Sequence, residues 1–158
     1  MSEFHVVAIP ETTADRVRET LRSPQYGHPA HIEPALGYGP CRLCLRTFDR
    51  SVDQRLLFTY NPFQEPDALP APGPVYIHAI ACPRYDGAEF PPSLRQLPLL
   101  FEAYEPDGTI GERRRVDDAS IEHAIGEMLA RPATSFINVR NAEAGCFIAR
   151  IERRSNGD

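Results

Sequence analysis

Two short motifs, Cys41-Arg42-Leu43-Cys44 and His78 four residues ahead of Cys82, hold three of the four cysteines of this chain. A Cys-x-x-Cys turn brings two sulfurs within reach of one ion or of each other, and a His/Cys pair elsewhere supplies the rest of a four-ligand set. If the groups act together, the chain must double back over the more than thirty residues between Cys44 and His78. Cys41, Cys44, His78 and at least one further polar group should then converge.

Three chemistries suit these residues. The first is a metal centre, with zinc as the candidate ion and Cys41, Cys44, His78 and Cys82 as a tetrahedron at roughly 2.0–2.3 Å. Residues four apart on a straight strand are separated by about 13 Å, so the strand carrying His78 must end or bulge before Cys82, and Pro83 favours such an ending. His28 and His31 are substitute ligands. The second is thiol chemistry on a small molecule, with Cys41, Cys44 and His78 as catalytic candidates and Arg42 and Arg46 favouring thiolates. A thioredoxin-type motif opens a long helix, whereas only Leu43 to Phe48 follows here before the polar Asp49-Arg50-Ser51. The third is packing alone, because free cysteine is among the most buried residue types. Cys146, beside Phe147 and Ile148, reads most simply as a packed, inert thiol, and His78 on an apolar strand as a hydrogen-bonded core histidine.

A length of 158 residues with 42% hydrophobic residues suits one domain, expected to span 1–158 with a loose tail over 153–158. No apolar run approaches the roughly 20 residues of a membrane span, and the first ten residues lack a signal-like pattern, so a soluble cytoplasmic protein is expected. In a reducing compartment the cysteines are thiols, ligands or redox groups rather than permanent cross-links. The net charge of −5 disfavours a nucleic-acid partner. All 17 basic residues are arginine, which excludes a Schiff-base or P-loop lysine, and no glycine-rich nucleotide motif is present, so no nucleotide cofactor is indicated.

Along the chain, Phe4 to Ile9 reads as a strand ended by Pro10. Thr12 or Thr13 then caps a helix reaching about Leu21, with Ala14, Val17 and Leu21 on one face. Ser23 to Pro40, with Pro24, Pro29, Pro34, Pro40, three glycines and two histidines, reads as a surface loop, and a second proline-rich connection covers 64–74. Strands are expected over Arg55 to Tyr60, Val75 to Cys82 and Leu99 to Tyr104. The second is apolar on both faces and so is expected in the middle of a sheet. Asp117 or Asp118 starts a helix with Ile121, Ala124, Ile125, Met128 and Leu129 as its apolar stripe, stopped by Arg131-Pro132. A hairpin then pairs Ser135 to Arg140 with Gly145 to Ile151. Five or six strands joined mostly by turns, with two helices, predict an α+β fold with a largely antiparallel sheet.

The ordered motifs Pro40-Cys41-Arg42-x-Cys44-Leu45-Arg46, Leu56-Leu57-Phe58-x-Tyr60-x-Pro62-Phe63, Gly73-Pro74-Val75-x-Ile77-His78-Ala79-x-x-Cys82 and Ile137-Asn138-Val139-Arg140-Asn141 with Gly145-Cys146 resemble a bacterial family, domain of unknown function 1203. The resemblance runs from about Pro40 to Arg153 and implies no established activity. Where that family often has a Gly-Glu pair before the Leu-Leu strand, this chain reads Ser51-Val52-Asp53-Gln54.

Away from the sulfurs, Asn138, Arg140 and Asn141 stand at a strand end and the start of a hairpin, where a guanidinium and amides could bind a carboxylate ligand. Turn chemistry for Asn141 and an internal ion pair for Arg140 are the simpler reading of the same residues, given the ordinary preference of asparagine for turns. The expected function is a Cys/His pocket for a metal or for thiol chemistry. The alternative is a non-catalytic interaction module, homodimeric through a hairpin or sheet edge, in which the cysteines and histidine are structural.

Overall fold

The computed structural model describes residues 4–37, 39–62 and 73–154. Most of the proline-rich connection expected over 64–74, and residues 155–158 of the tail expected over 153–158, lie outside the described residues, while Arg153 of that tail ends a strand. The fold is α+β, with eight described strands in two antiparallel sheets and two α-helices. Two compact units are formed, Ala8–Tyr85 and a second made of Met1–Val7 with Asp86–Asp158.

The second unit is built on a five-stranded sheet of β1 (Phe4–Val7), β5 (Leu99–Tyr104), β6 (Ile110–Val116), β7 (Phe136–Asn141) and β8 (Phe147–Arg153), in the order β1-β8-β7-β5-β6. Phe101, Ala103, Ile137, Val139, Ala149 and Ile151 are buried on it. Helix α2 (Ile121–Ala130) buries Ile121, Ala124, Ile125 and Met128. A capping box between Asp117 and Ser120 starts the helical segment, and the residue before Pro132 leaves the helical region, as proline requires. Strand β6 has no signature in the sequence, because Gly111-Glu112-Arg113-Arg114-Arg115 has no apolar alternation. It is a sheet edge whose charges guard the open backbone, with Arg114 paired to Glu127 of α2 at 2.7 Å.

The first unit contains α1 (Glu11–Thr20) and the sheet of β2 (His31–Pro34), β3 (Gln54–Tyr60) and β4 (Gly73–His78), ordered β2-β3-β4. Helix α1 begins at Glu11 with Pro10 as its N-cap, not at a threonine cap, and Leu21 ends it in the left-handed region as an exposed residue. Only Ala14 and Val17 of the expected stripe are buried. The segment read as loop from Ser23 to Pro40 contributes β2 as an edge strand, paired through Ile32 to Leu56. Strand β4 is also an edge, not a central strand, and it stops at His78 rather than Cys82. Its inner face buries Val75 and Ile77, while Tyr76 on the outer face lies beneath the Arg55 guanidinium, 3.9 Å from the ring centre. The apolar reading of both faces thus reflects a cation–π cover, not a neighbouring strand.

Candidate metal centre

The Cys41 to Cys44 turn closes on itself through Cys41 N–H to the Arg46 carbonyl and Leu45 N–H to the Cys41 carbonyl, each 2.9 Å. Arg42 N–H donates to the Tyr76 carbonyl at 2.9 Å, two residues before His78, and Tyr85 N–H donates to the Leu43 carbonyl at 2.8 Å, three residues after Cys82. The turn is therefore pinned from both sides by the segment bearing the His/Cys pair. Because β4 ends at His78, the chain bends and brings Cys82 back.

As a result Cys41, Cys44, His78 and Cys82 place one ligand atom each within 4.8 Å of all the others, the one such group among the described residues. The Cys41 and Cys82 sulfurs are 3.8 Å apart, and the Cys44 sulfur lies 3.5 Å from His78 Nδ1. A tetrahedral ion bound by sulfur at about 2.3 Å and nitrogen at about 2.0 Å has S···S edges of about 3.8 Å and S···N edges of about 3.5 Å. Cys41 and Cys44 are buried, whereas His78 and Cys82 are partly exposed. The cluster could hold a metal ion.

The surroundings orient the ligands. His78 Nε2 sits 3.3 Å from Asp53 Oδ2, which leaves Nδ1 free to face the sulfurs. Carboxylate–imidazole pairs of this kind fix the tautomer of a ligating histidine. Phe48 packs edge-on against the imidazole with ring centres 4.7 Å apart, and Gly39 makes room for Phe48, since a Cβ there would lie 2.5 Å from its ring. Arg18 of α1 donates from Nη2 to the Cys82 sulfur at 3.4 Å and from Nε to the His78 carbonyl at 3.1 Å. Of the two arginines expected beside the thiols, Arg42 instead donates to the Pro40 carbonyl at 2.6 Å and Arg46 is exposed.

Without an ion the cluster is polarised. Hydrogen bonding to Cys44 and then Cys82 holds the Cys41 thiol well below the ordinary range despite its burial, and the reciprocal bond pushes Cys44 up. His78 is pushed up to about 10, first by its bond to the Cys41 sulfur and then by Cys82, against the effect of burial. A thiolate facing an imidazolium is the charge state that follows.

The other expected residues lie elsewhere. His28 stacks on Tyr26 and His31 is exposed on β2, both outside the cluster. Cys146 is not packed in the hairpin strand: it sits half-buried in the turn before β8, because the strand starts only at Phe147. Asn138 donates from Nδ2 to Glu102 Oε1 at 3.3 Å, while its buried Oδ1 has no hydrogen-bond partner. Arg140 donates from Nε to the Gly145 carbonyl at 2.9 Å and from Nη1 to Glu102 Oε2 at 3.4 Å. Asn141 Oδ1 accepts from the backbone of Glu143 and Ala144.

Two residues of the centre escaped the sequence reading. Arg18 follows Ala14 by four, which puts an arginine at the border of the buried face of α1 and is the signal available in the sequence. Asp53 is visible only as the acid in the departure from the family's Gly-Glu pattern.

Comparison with curated proteins and with solved structures gives no match. The family model described as "Protein of unknown function (DUF1203)" matches residues 38–153, a span that includes all four ligand candidates and Asp53 but not Arg18. Since that span is most of the chain, the protein belongs to the DUF1203 family.

Proposed function

We propose that Cys41, Cys44, His78 and Cys82 bind one Zn²⁺ as a structural centre that fastens the end of β4 and the following segment to the Cys41 to Cys44 turn. The observation that carries this reading is the pair of edges, 3.8 Å between sulfurs and 3.5 Å from sulfur to nitrogen, found at a donor set of three thiols and one imidazole. Thiolates and imidazole select zinc over magnesium or calcium. Four protein ligands leave no open position for substrate, so the site serves the fold rather than a reaction. Thiol catalysis is the weaker reading, because a turn, not a long helix, follows Cys41. Reduced thiols in such a centre suit a cytoplasmic setting.

Asn138 and Arg140 we assign to holding Glu102, a fully buried carboxylate, rather than to a carboxylate ligand. Elemental analysis combined with thermal melts tests the zinc reading. Zinc should co-purify at one ion per chain, and free zinc at a hundredfold above Kd should add about 2.7 kcal/mol, or about 5–11 °C in melting temperature. A metal-free protein whose melt ignores added zinc would overturn it.

A further inference from the structure

Cys82 is the ligand with the least local support. Cys41 and Cys44 lie in a closed hydrogen-bonded turn and His78 ends a paired strand, but Cys82 sits in a segment without regular structure. That segment is tied down on either side, by Ala79 N–H to the Gln54 carbonyl at 3.0 Å and by Arg84 to the carbonyls of Ala8 and Ile9 at 2.6 and 3.0 Å. At the cysteine itself, among the described residues, the hydrogen bond from outside the ligand set comes from Arg18.

Resting on the zinc reading above, we infer that Arg18 is the positioning residue that keeps Cys82 on the metal. Two features of its placement carry this. First, one planar guanidinium spans the His-x-x-x-Cys loop, with Nε on the His78 carbonyl and Nη2 on the Cys82 sulfur, so it sets the separation of two ligand-bearing residues. An arginine fork does this and an ammonium does not. Second, three thiolates and a neutral imidazole around Zn²⁺ leave one net negative charge, and Arg18 brings a positive charge to one of those sulfurs. A hydrogen-bonded, charge-compensated thiolate is a poorer nucleophile and a slower leaving ligand. Arg18 reaches the site from the border of the buried face of α1, one helical turn after Ala14.

Cobalt(II) substitution of the full-length protein tests this, with the thiolate-to-cobalt charge-transfer band counting sulfurs and a thiol reagent identifying the free one by mass. Arg18→Met should bind cobalt with the band reduced by about one third, the share of one thiolate in three, and with Cys82 newly labelled. Arg18→Lys retains charge without the fork and should keep the band while labelling Cys82 about tenfold faster than wild type. Full band intensity with a protected Cys82 in Arg18→Met would overturn the inference, as would equal labelling of Cys41, Cys44 and Cys82. Should Arg18→Met fail to fold, an unchanged Cys82 labelling rate in Arg18→Lys overturns it alone. Failure of the wild type to take up cobalt would instead remove the underlying metal reading.

Discussion

Replacing Asp53 by asparagine isolates the electrostatic support of the proposed centre. The substitution keeps the shape of the side chain and an oxygen able to accept from Asp49 N–H, which now bonds Oδ2 at 2.7 Å. What it removes is the negative charge opposite His78 Nε2. Loss of a carboxylate behind a ligating histidine lowers metal affinity by about 10–100-fold. Here the contact is 3.3 Å, long for a charge-assisted bond, and the Asp53 side chain is 29% exposed, so solvent screens it. The lower end of the range is therefore expected, about tenfold or about 1.4 kcal/mol. Competition against a chromogenic zinc chelator at fixed pH and salt reads the Kd, and melts of the metal-free proteins, expected within about 0.5 kcal/mol of each other, control for folding. An unchanged Kd would refute the coupling of carboxylate to ligand. A metal-free protein that loses as much stability as the loaded one would show Asp53 acting through the Asp49 turn alone.

In zinc-loaded protein a thiol reagent should modify Cys146 first, with Cys41, Cys44 and Cys82 reacting only after chelation; early loss of Cys41 or Cys44 would contradict their ligation. Zinc must displace protons from the cluster, including the one His78 holds with its pKa at about 10. Apparent affinity should therefore rise with pH across the neutral range and fall in acid, and a flat titration would exclude these ligands. Gly39→Ala introduces a Cβ 2.5 Å from Phe48 at a φ of +99°, so overpacking should destabilise the fold by about 1–3 kcal/mol. Chemical denaturation measures this, and an unaffected midpoint would mean that Phe48 moves aside freely.

Much of this architecture is legible in local pattern. Leu56, Phe58 and Tyr60, Leu99 to Tyr104, and the stripe from Ile121 to Met128 advertise their elements because burial and periodicity coincide there. β2 and β6 do not, since edge strands exposed to solvent carry proline and arginine where a central strand would carry valine. β4 misleads for the opposite reason: Tyr76 is shielded by an arginine from the neighbouring strand, so an edge looks like an interior. The four ligand candidates are readable because metal chemistry demands particular residue types at short spacing. Arg18 and Asp53 join them only through tertiary contacts, Arg18 with the His78 carbonyl and the Cys82 sulfur and Asp53 with the His78 ring, which local spacing does not encode. Cys146 falls one residue short of β8, enough to move its side chain from core to turn.

X-ray absorption at the zinc edge of the purified, unsupplemented protein tests the central claim most directly. The first shell should contain three sulfurs at about 2.3 Å and one nitrogen at about 2.0 Å, and Cys44→Ser should remove one sulfur from that count. A shell of oxygen and nitrogen only, or a protein that retains no zinc and binds none when it is offered, would contradict it.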